Sequence, residues 1–183
     1  AAGAAAAILG EGALTGHGFP DMARSKSSRR WLDRHVNDAY VQRAQAQGWR
    51  SRAAFKLLEL DERDRFLRPG CRVVDLGAAP GGWSQVAAAR VGPKGRVIAL
   101  DVLPMEPIAG VTFLQGDFRS EATLAALRAA VGERAIDVVI SDLAPNVTGV
   151  AAVDQPRAMH LAELALEFAA ECLVEGGTLV AKL

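Results

Sequence analysis

Apolar residues in the second half of the chain fall into short, nearly unbroken runs separated by stretches with helical spacing. The runs predict strands at Arg72–Leu76, Arg96–Asp101, Val111–Gln115, Ile136–Ser141 and Thr178–Leu183. The intervening segments predict helices at Trp83–Val91, Glu121–Val131 and Pro156–Val174, with Ser120 and Asp154 as caps and a proline near the start of the last. Gly92-Pro93-Lys94-Gly95 and Gly176-Gly177 read as turns. Upstream, an amphipathic helix is expected from Arg30 to Gln47, ended by Gly48, and a second one opening at Ser51 as N-cap and carrying Phe55, Lys56, Leu57 and Leu60. The first 21 residues have neither period and are expected to be disordered, with Met22 resembling a natural start. Strands rich in Val, Ile and Leu that alternate with helices predict an α/β fold, a mostly parallel sheet covered on both faces.

Chemistry concentrates at the end of the first strand. Asp75-Leu76-Gly77-Ala78-Ala79-Pro80-Gly81-Gly82-Trp83 runs from a buried strand through a glycine turn into a helix, the order that builds a small-molecule site at a strand's carboxyl end. The turn lacks the G-x-G-x-x-G spacing of a dinucleotide site and the Lys-Ser/Thr pair of a P-loop. D-x-G-x-x-P-G-G instead resembles the loop of class I methyltransferases that cradles the amino-acid end of S-adenosylmethionine. Asp75, Asp101, Asp117 and Asp142 each stand at or next to a predicted strand end, where such a ligand sits. Asp101 lies at the offset suited to ribose hydroxyls, Asp117 is placed to accept from the adenine amino group, and Asp142 falls near the sulfonium. A lone aspartate after a strand is usually a turn residue or cap; four at successive strand ends argue for a site.

Composition narrows the class. The chain of 183 residues, 50% hydrophobic, suits a single core. Ala4–Leu9 is too short to span a bilayer and has no basic residue before it, so no membrane association is expected. Cys71 and Cys172 are far apart and without neighbours at metal-ligand spacing, which predicts reduced thiols, a cytoplasmic location and no metal. Net charge is zero but uneven: Ala23–Lys56 holds nine basic and two acidic residues, the rest from Leu57 twelve and seventeen. A basic segment with Trp31, Tyr40 and Trp49 fits a nucleic-acid backbone with exposed bases, although a solvated helix face with inward aromatics has the same signature.

Six strings in a fixed order then identify a relative. Ser51-Arg52-Ala53-Ala54-Phe55-Lys56-Leu57, the glycine turn, Asp101-Val102-Leu103-Pro104-Met105, Gln115-Gly116-Asp117-Phe118-Arg119, Ser141-Asp142-Leu143-Ala144-Pro145-Asn146 and Val180-Ala181-Lys182 resemble the FtsJ/RlmE family of ribosomal RNA 2′-O-methyltransferases, from about Ser28 to Leu183. The resemblance implies a Rossmann-like, S-adenosylmethionine-dependent enzyme, a monomer acting on a uridine of 23S rRNA in the large ribosomal subunit. It divides the chain into an extension (1–22), a basic helical segment (23–60) and the methyltransferase domain (61–183). It implies cofactor contacts at Gly81, Trp83, Asp101, Asp117 and Asp142, and a Lys-Asp-Lys-Glu tetrad whose first three members fall on Lys56, Asp142 and Lys182.

Those residue types suit the reaction. A ribose hydroxyl must be aligned with the methyl group and lose its proton as it attacks. A lysine in water is protonated at neutral pH, but burial and a second cation favour its neutral form. Lys182 is therefore the expected base beside Lys56, which would position the ribose or a phosphate, while Asp142 orients the lysines. The resemblance implies two further strands and a helix past the fifth strand, one of those strands carrying the tetrad glutamate, so the domain is expected to be incomplete and its outer strand exposed. Three other readings stay open: a transfer RNA or cap 2′-O-methyltransferase, an RNA-binding module without turnover, and, against the glycine spacing, a nicotinamide reductase.

Overall fold

The computed structural model describes residues 39–144 and 148–182, all within one compact unit. The elements in order are α1 (Ala39–Ala46), α2 (Ala53–Asp64), β1 (Arg72–Leu76), α3 (Gly82–Val91), β2 (Arg96–Asp101), β3 (Val111–Gln115), α4 (Glu121–Val131), β4 (Ile136–Ser141), α5 (Ala151–Cys172) and β5 (Leu173–Ala181). All strand pairings are parallel, and the sheet order is β3-β2-β1-β4-β5.

Alternation along the strands sends side chains to two separate cores. Val73, Val97, Val138 and Ile140 meet Leu57 of α2 and Trp83, Val86 and Val91 of α3 on one face. Val74, Leu76, Ile98, Leu100 and Val139 meet Leu127 of α4 and Phe168 and Ala169 of α5 on the other. Both faces of the sheet are thus covered, as continuous apolar strands require. Chain order reverses direction at β1, whose neighbours are β2 and β4, so the sheet's switch point, where α/β folds hold their ligands, lies at the carboxyl ends of β1 and β4.

Predicted strands β1 to β4 coincide with those observed. The last strand and helix differ. α5 starts at Ala151, well before Pro156, which lies inside the helix. Asp154, expected as a cap, is inside it too, and its carboxylate accepts from Thr148 N, Thr148 Oγ1 and Gly149 N in the approach to the helix. β5 begins at Leu173, paired with Ile136, then bulges through Gly176-Gly177 and resumes opposite Val138 at Thr178, so the expected turn is an irregularity inside the strand. Of the first expected helix, the part up to residue 38 lies outside the described residues. Its end is as read: Gly48 N–H bonds to Gln45 O and Trp49 N–H to Ala44 O, the paired bonds of a Schellman stop. α2 starts at Ala53, not at Ser51. Arg52 occupies the N-cap position in helical conformation, and Ser51 Oγ packs against Gly82, where a Cβ would lie 2.2 Å from it.

Candidate functional site

Two glycines with positive φ shape the site, one against backbone and one against side chains. Gly77, at φ +77°, follows β1, and a Cβ there would stand 2.8 Å from Leu143 N and 2.9 Å from Asp142 O. The loops after β1 and β4 therefore touch through their main chains. Gly81, at φ +109°, precedes α3, and a Cβ there would meet Ile108 Cδ1 at 2.7 Å and Met105 Sδ at 2.9 Å. The chain between β2 and β3 thus lies directly on the glycine turn.

Three carboxylates surround this turn. Asp101 ties it down, accepting Ala79 N–H at 2.8 Å through one oxygen and Leu103 N–H at 2.8 Å through the other. Asp75 is fully buried and accepts Ser84 Oγ–H at 2.6 Å, while its second oxygen has no partner among the described residues. Burial pushes its pKa up to about 7 against the Ser84 hydrogen bond, with Asp142 and Asp101 raising it further. Asp142 Oδ1 accepts from Lys182 Nζ at 2.8 Å, joining the ends of β4 and β5. A site with this much negative charge and an orphaned carboxylate oxygen favours a cationic ligand and disfavours a diphosphate.

Other expected site residues have different surroundings. Trp83 is buried, and its indole donates to Ala53 O at 2.8 Å, so the ring staples α3 to α2 and only its backbone N–H, in the first turn of α3, is placed for a ligand. Asp117 is paired with Arg119 at 2.6 Å, which holds its carboxyl below the usual range. Lys56 pairs with Glu59 at 3.3 Å on the surface of α2. The burial expected around the two lysines is not there: their side chains are 59% and 64% exposed, because Lys56 is on the outer face of a helix and Lys182 directly follows β5, the outermost strand of the described sheet.

Arg50 and Gln85 were not expected in the site. Arg50 Nη1 donates to Glu106 O at 2.6 Å, Nη2 to Pro107 O at 2.8 Å, and Nη1 makes a longer contact of 3.4 Å with Pro80 O. Gln85 accepts from Arg50 N at 2.8 Å and donates to Gly48 O at 3.1 Å. Together they fasten the segment before α2, the glycine turn and the β2–β3 connection to one another. Arg50, counted in the sequence among nucleic-acid cations, spends its guanidinium on carbonyls.

Residues 49–183 match the family model described as FtsJ-like methyltransferase. The chain belongs to the FtsJ-like methyltransferase family. It is 59% identical over 162 residues to ribosomal RNA large subunit methyltransferase E of Azoarcus sp., covering 88% of this chain and 79% of that protein. It is 61% identical over 160 residues to the protein of the same name from Stenotrophomonas maltophilia, covering 87% and 76%. Among solved structures, a Plasmodium falciparum protein assigned as a ribosomal RNA methyltransferase superposes with a TM-score of 0.67 at 31% identity, covering 73% of this chain and 77% of that one. The orphaned oxygen of Asp75 and the glycine cradle fit the S-adenosylmethionine that a methyltransferase of this fold requires, since its methionine end carries an ammonium group and its sulfur a positive charge. No helix among the described residues is long and apolar enough to cross a membrane.

Proposed function

We propose that this chain is a cytoplasmic, monomeric methyltransferase that uses S-adenosylmethionine to methylate the 2′-hydroxyl of a uridine ribose in 23S rRNA of the large ribosomal subunit. The observation that carries the reading is Lys182 Nζ resting on Asp142 Oδ1 beside the acid-lined glycine turn. The names of the relatives support ribosomal RNA as the substrate. When bound, S-adenosylmethionine supplies a methyl group on a cationic sulfur, open to displacement by an oxygen nucleophile.

The chain's own residues divide the remaining work. Gly81 and the backbone N–H groups of the first α3 turn, Trp83 included, take the methionine carboxylate. Asp75 and Asp142 favour the positive centres, Asp101 the ribose hydroxyls, and Asp117 the adenine amino group once it exchanges part of its exposed pairing with Arg119 for the ligand. Lys56 positions the substrate ribose or its phosphate. Leaving Glu59 costs it little, since an exposed pair is worth about 0–1 kcal/mol. Lys182 takes the hydroxyl proton at Nζ, and Asp142 Oδ1, 2.8 Å away, fixes its direction.

The test is methylation mapping on large subunits from cells lacking the enzyme. Lys182→Ala should lower uridine 2′-O-methylation by about 100-fold or more, with S-adenosylmethionine affinity retained. Turnover unaffected by the substitution would remove Lys182 from the mechanism, and modification of transfer RNA or a cap ribose in place of 23S rRNA would overturn the substrate.

A further inference from the structure

The opposite end of the sheet carries a second concentration of charge that the methyl-transfer reading leaves unused. A cavity of about 600 Å³ opens there, lined by Arg72, Lys94, Arg96, Arg134 and Asp137, with Gly70, Ala135 and Val174 completing the wall. These residues sit at or just before the amino ends of β1, β2, β4 and β5, so the cavity faces away from the carboxyl-end loops. Five strand residues at about 3.3 Å each put roughly 16 Å of sheet between the two.

The cavity has four cationic lining residues against one carboxylate, Asp137, and so keeps a net positive charge. Arg72 and Arg96 are direct neighbours across β1 and β2, an arrangement that like charges disfavour. Arg72 is immobilised: its guanidinium donates to Val131 O and Ala135 O, and to Arg134 O, capping the carbonyl end of α4. The one acidic lining residue, Asp137, is engaged by Arg72 N–H at 2.7 Å. Lys94, Arg96 and Arg134 are exposed, and among the described residues none has a carboxylate partner. Glu133 and Glu175 adjoin in sequence but do not line the cavity. Burial lowers the pKa of Arg72, and the nearby charges of Arg96 and Arg134 lower it further against the smaller opposing effect of Asp137, a net positive field that an anion would relieve.

We propose that this amino-end basin is a phosphate-binding surface for the backbone of ribosomal RNA, a second contact with the substrate on the face opposite the methyl-transfer crevice. The inference rests on the reading of RNA as substrate. Three exposed cations spread around the cavity suit successive phosphodiesters, whereas a small free anion asks for donors converging on one point. Arg72 supplies the fixed floor, and Lys94, Arg96 and Arg134 reach the phosphates.

The experiment combines Lys94→Ala, Arg96→Ala and Arg134→Ala in the whole chain, leaving Arg72 in its structural role. A control removes three cations elsewhere, Arg63→Ala, Arg128→Ala and Arg157→Ala. Binding to large-subunit RNA is measured from 50 to 200 mM salt. Three lost phosphate contacts should reduce the log–log slope by about 2–3, so that wild-type affinity falls about 40-fold more than the variant's across that range. KM for RNA should rise with kcat and S-adenosylmethionine affinity unchanged, and the control should keep the wild-type slope. A slope unaltered in the basin variant, or reduced equally in the control, overturns the proposal alone. Absence of RNA binding by the unaltered chain overturns the substrate reading and this one with it. Inorganic pyrophosphate bound by the unaltered chain, lost in the basin variant and accompanied by an intact RNA slope, makes the basin a small-anion site and also overturns it.

Discussion

Replacing Arg50 by alanine should weaken S-adenosylmethionine binding by loosening a loop that Arg50 holds. Its guanidinium makes two good hydrogen bonds, to Glu106 O at 2.6 Å and Pro107 O at 2.8 Å, and the 3.4 Å contact with Pro80 O is too long to weigh equally. A hydrogen bond from a charged group contributes about 1.5–3 kcal/mol when shielded. Arg50 is only half-buried, so about 0.5–1 kcal/mol for each bond, and about 1–2 kcal/mol together, is the appropriate scale. That corresponds to roughly a 5- to 30-fold loss in the docking equilibrium of the β2–β3 connection. Apparent affinity falls only by the loss in docked fraction, so this range is a ceiling. Arg50→Lys should recover little, because an ammonium cannot span both carbonyls as the guanidinium fork does. Titration calorimetry gives the affinity, and hydrogen exchange across Met105–Gly110 reports the docking. Unchanged affinity and exchange, together with an RNA salt slope lowered by about one, would make Arg50 a phosphate contact and refute the clamp.

The other substitutions probe the crevice itself. The pKa of Asp75 is raised to about 7, so its neutral form is favoured in the fold, and the stability it gives is complete below the unfolded carboxyl value and lost as pH rises through 7. Chemical denaturation at pH 5 and pH 8 should show wild type losing a few kcal/mol across that interval, on the order of 1.4 kcal/mol for each tenfold difference in proton affinity between the folded and unfolded carboxyl. Asp75→Asn should not lose it, and an identical pH dependence in both proteins would contradict the assignment. Gly77→Ala should cost about 2 kcal/mol or more, because it adds strain at φ +77° and a clash under 3 Å with the Asp142–Leu143 backbone. A thermal midpoint within a degree of wild type would show that the two loops are not in contact.

Strands β1 to β4 were readable because each is a short apolar run closed by glycine, proline or a charged pair, which makes existence and boundary the same signal. Gly176-Gly177 misled for a physical reason. Glycine tolerates a turn, and equally a bulge where β5 falls out of step with β4 between Ile136 and Val138, and only the partner strand decides which. Asp154 misled similarly: its carboxylate does accept backbone N–H groups as a capping residue would, but the helix starts upstream of the residue that organises its approach. The site separates along the same line. Gly77, Gly81 and Asp101 act through backbone geometry close to the glycine turn or at its neighbouring strand, and a local motif carries that information. Arg50 holds carbonyls 56 and 57 residues away, and nothing near Trp49-Arg50-Ser51 distinguishes a clamp from a nucleic-acid cation. Charge counts along a sequence register how many cations a segment has and are blind to what each one touches. The amino-end basin shows the converse. Arg72, Lys94, Arg96 and Arg134 are scattered through residues 72–134, where seven basic and six acidic residues nearly cancel, and only the parallel register that sets Arg72 beside Arg96 gathers them into one field. Cations clustered in sequence therefore need not mark an RNA surface, and cations dispersed in sequence can form one when strand order brings their ends together.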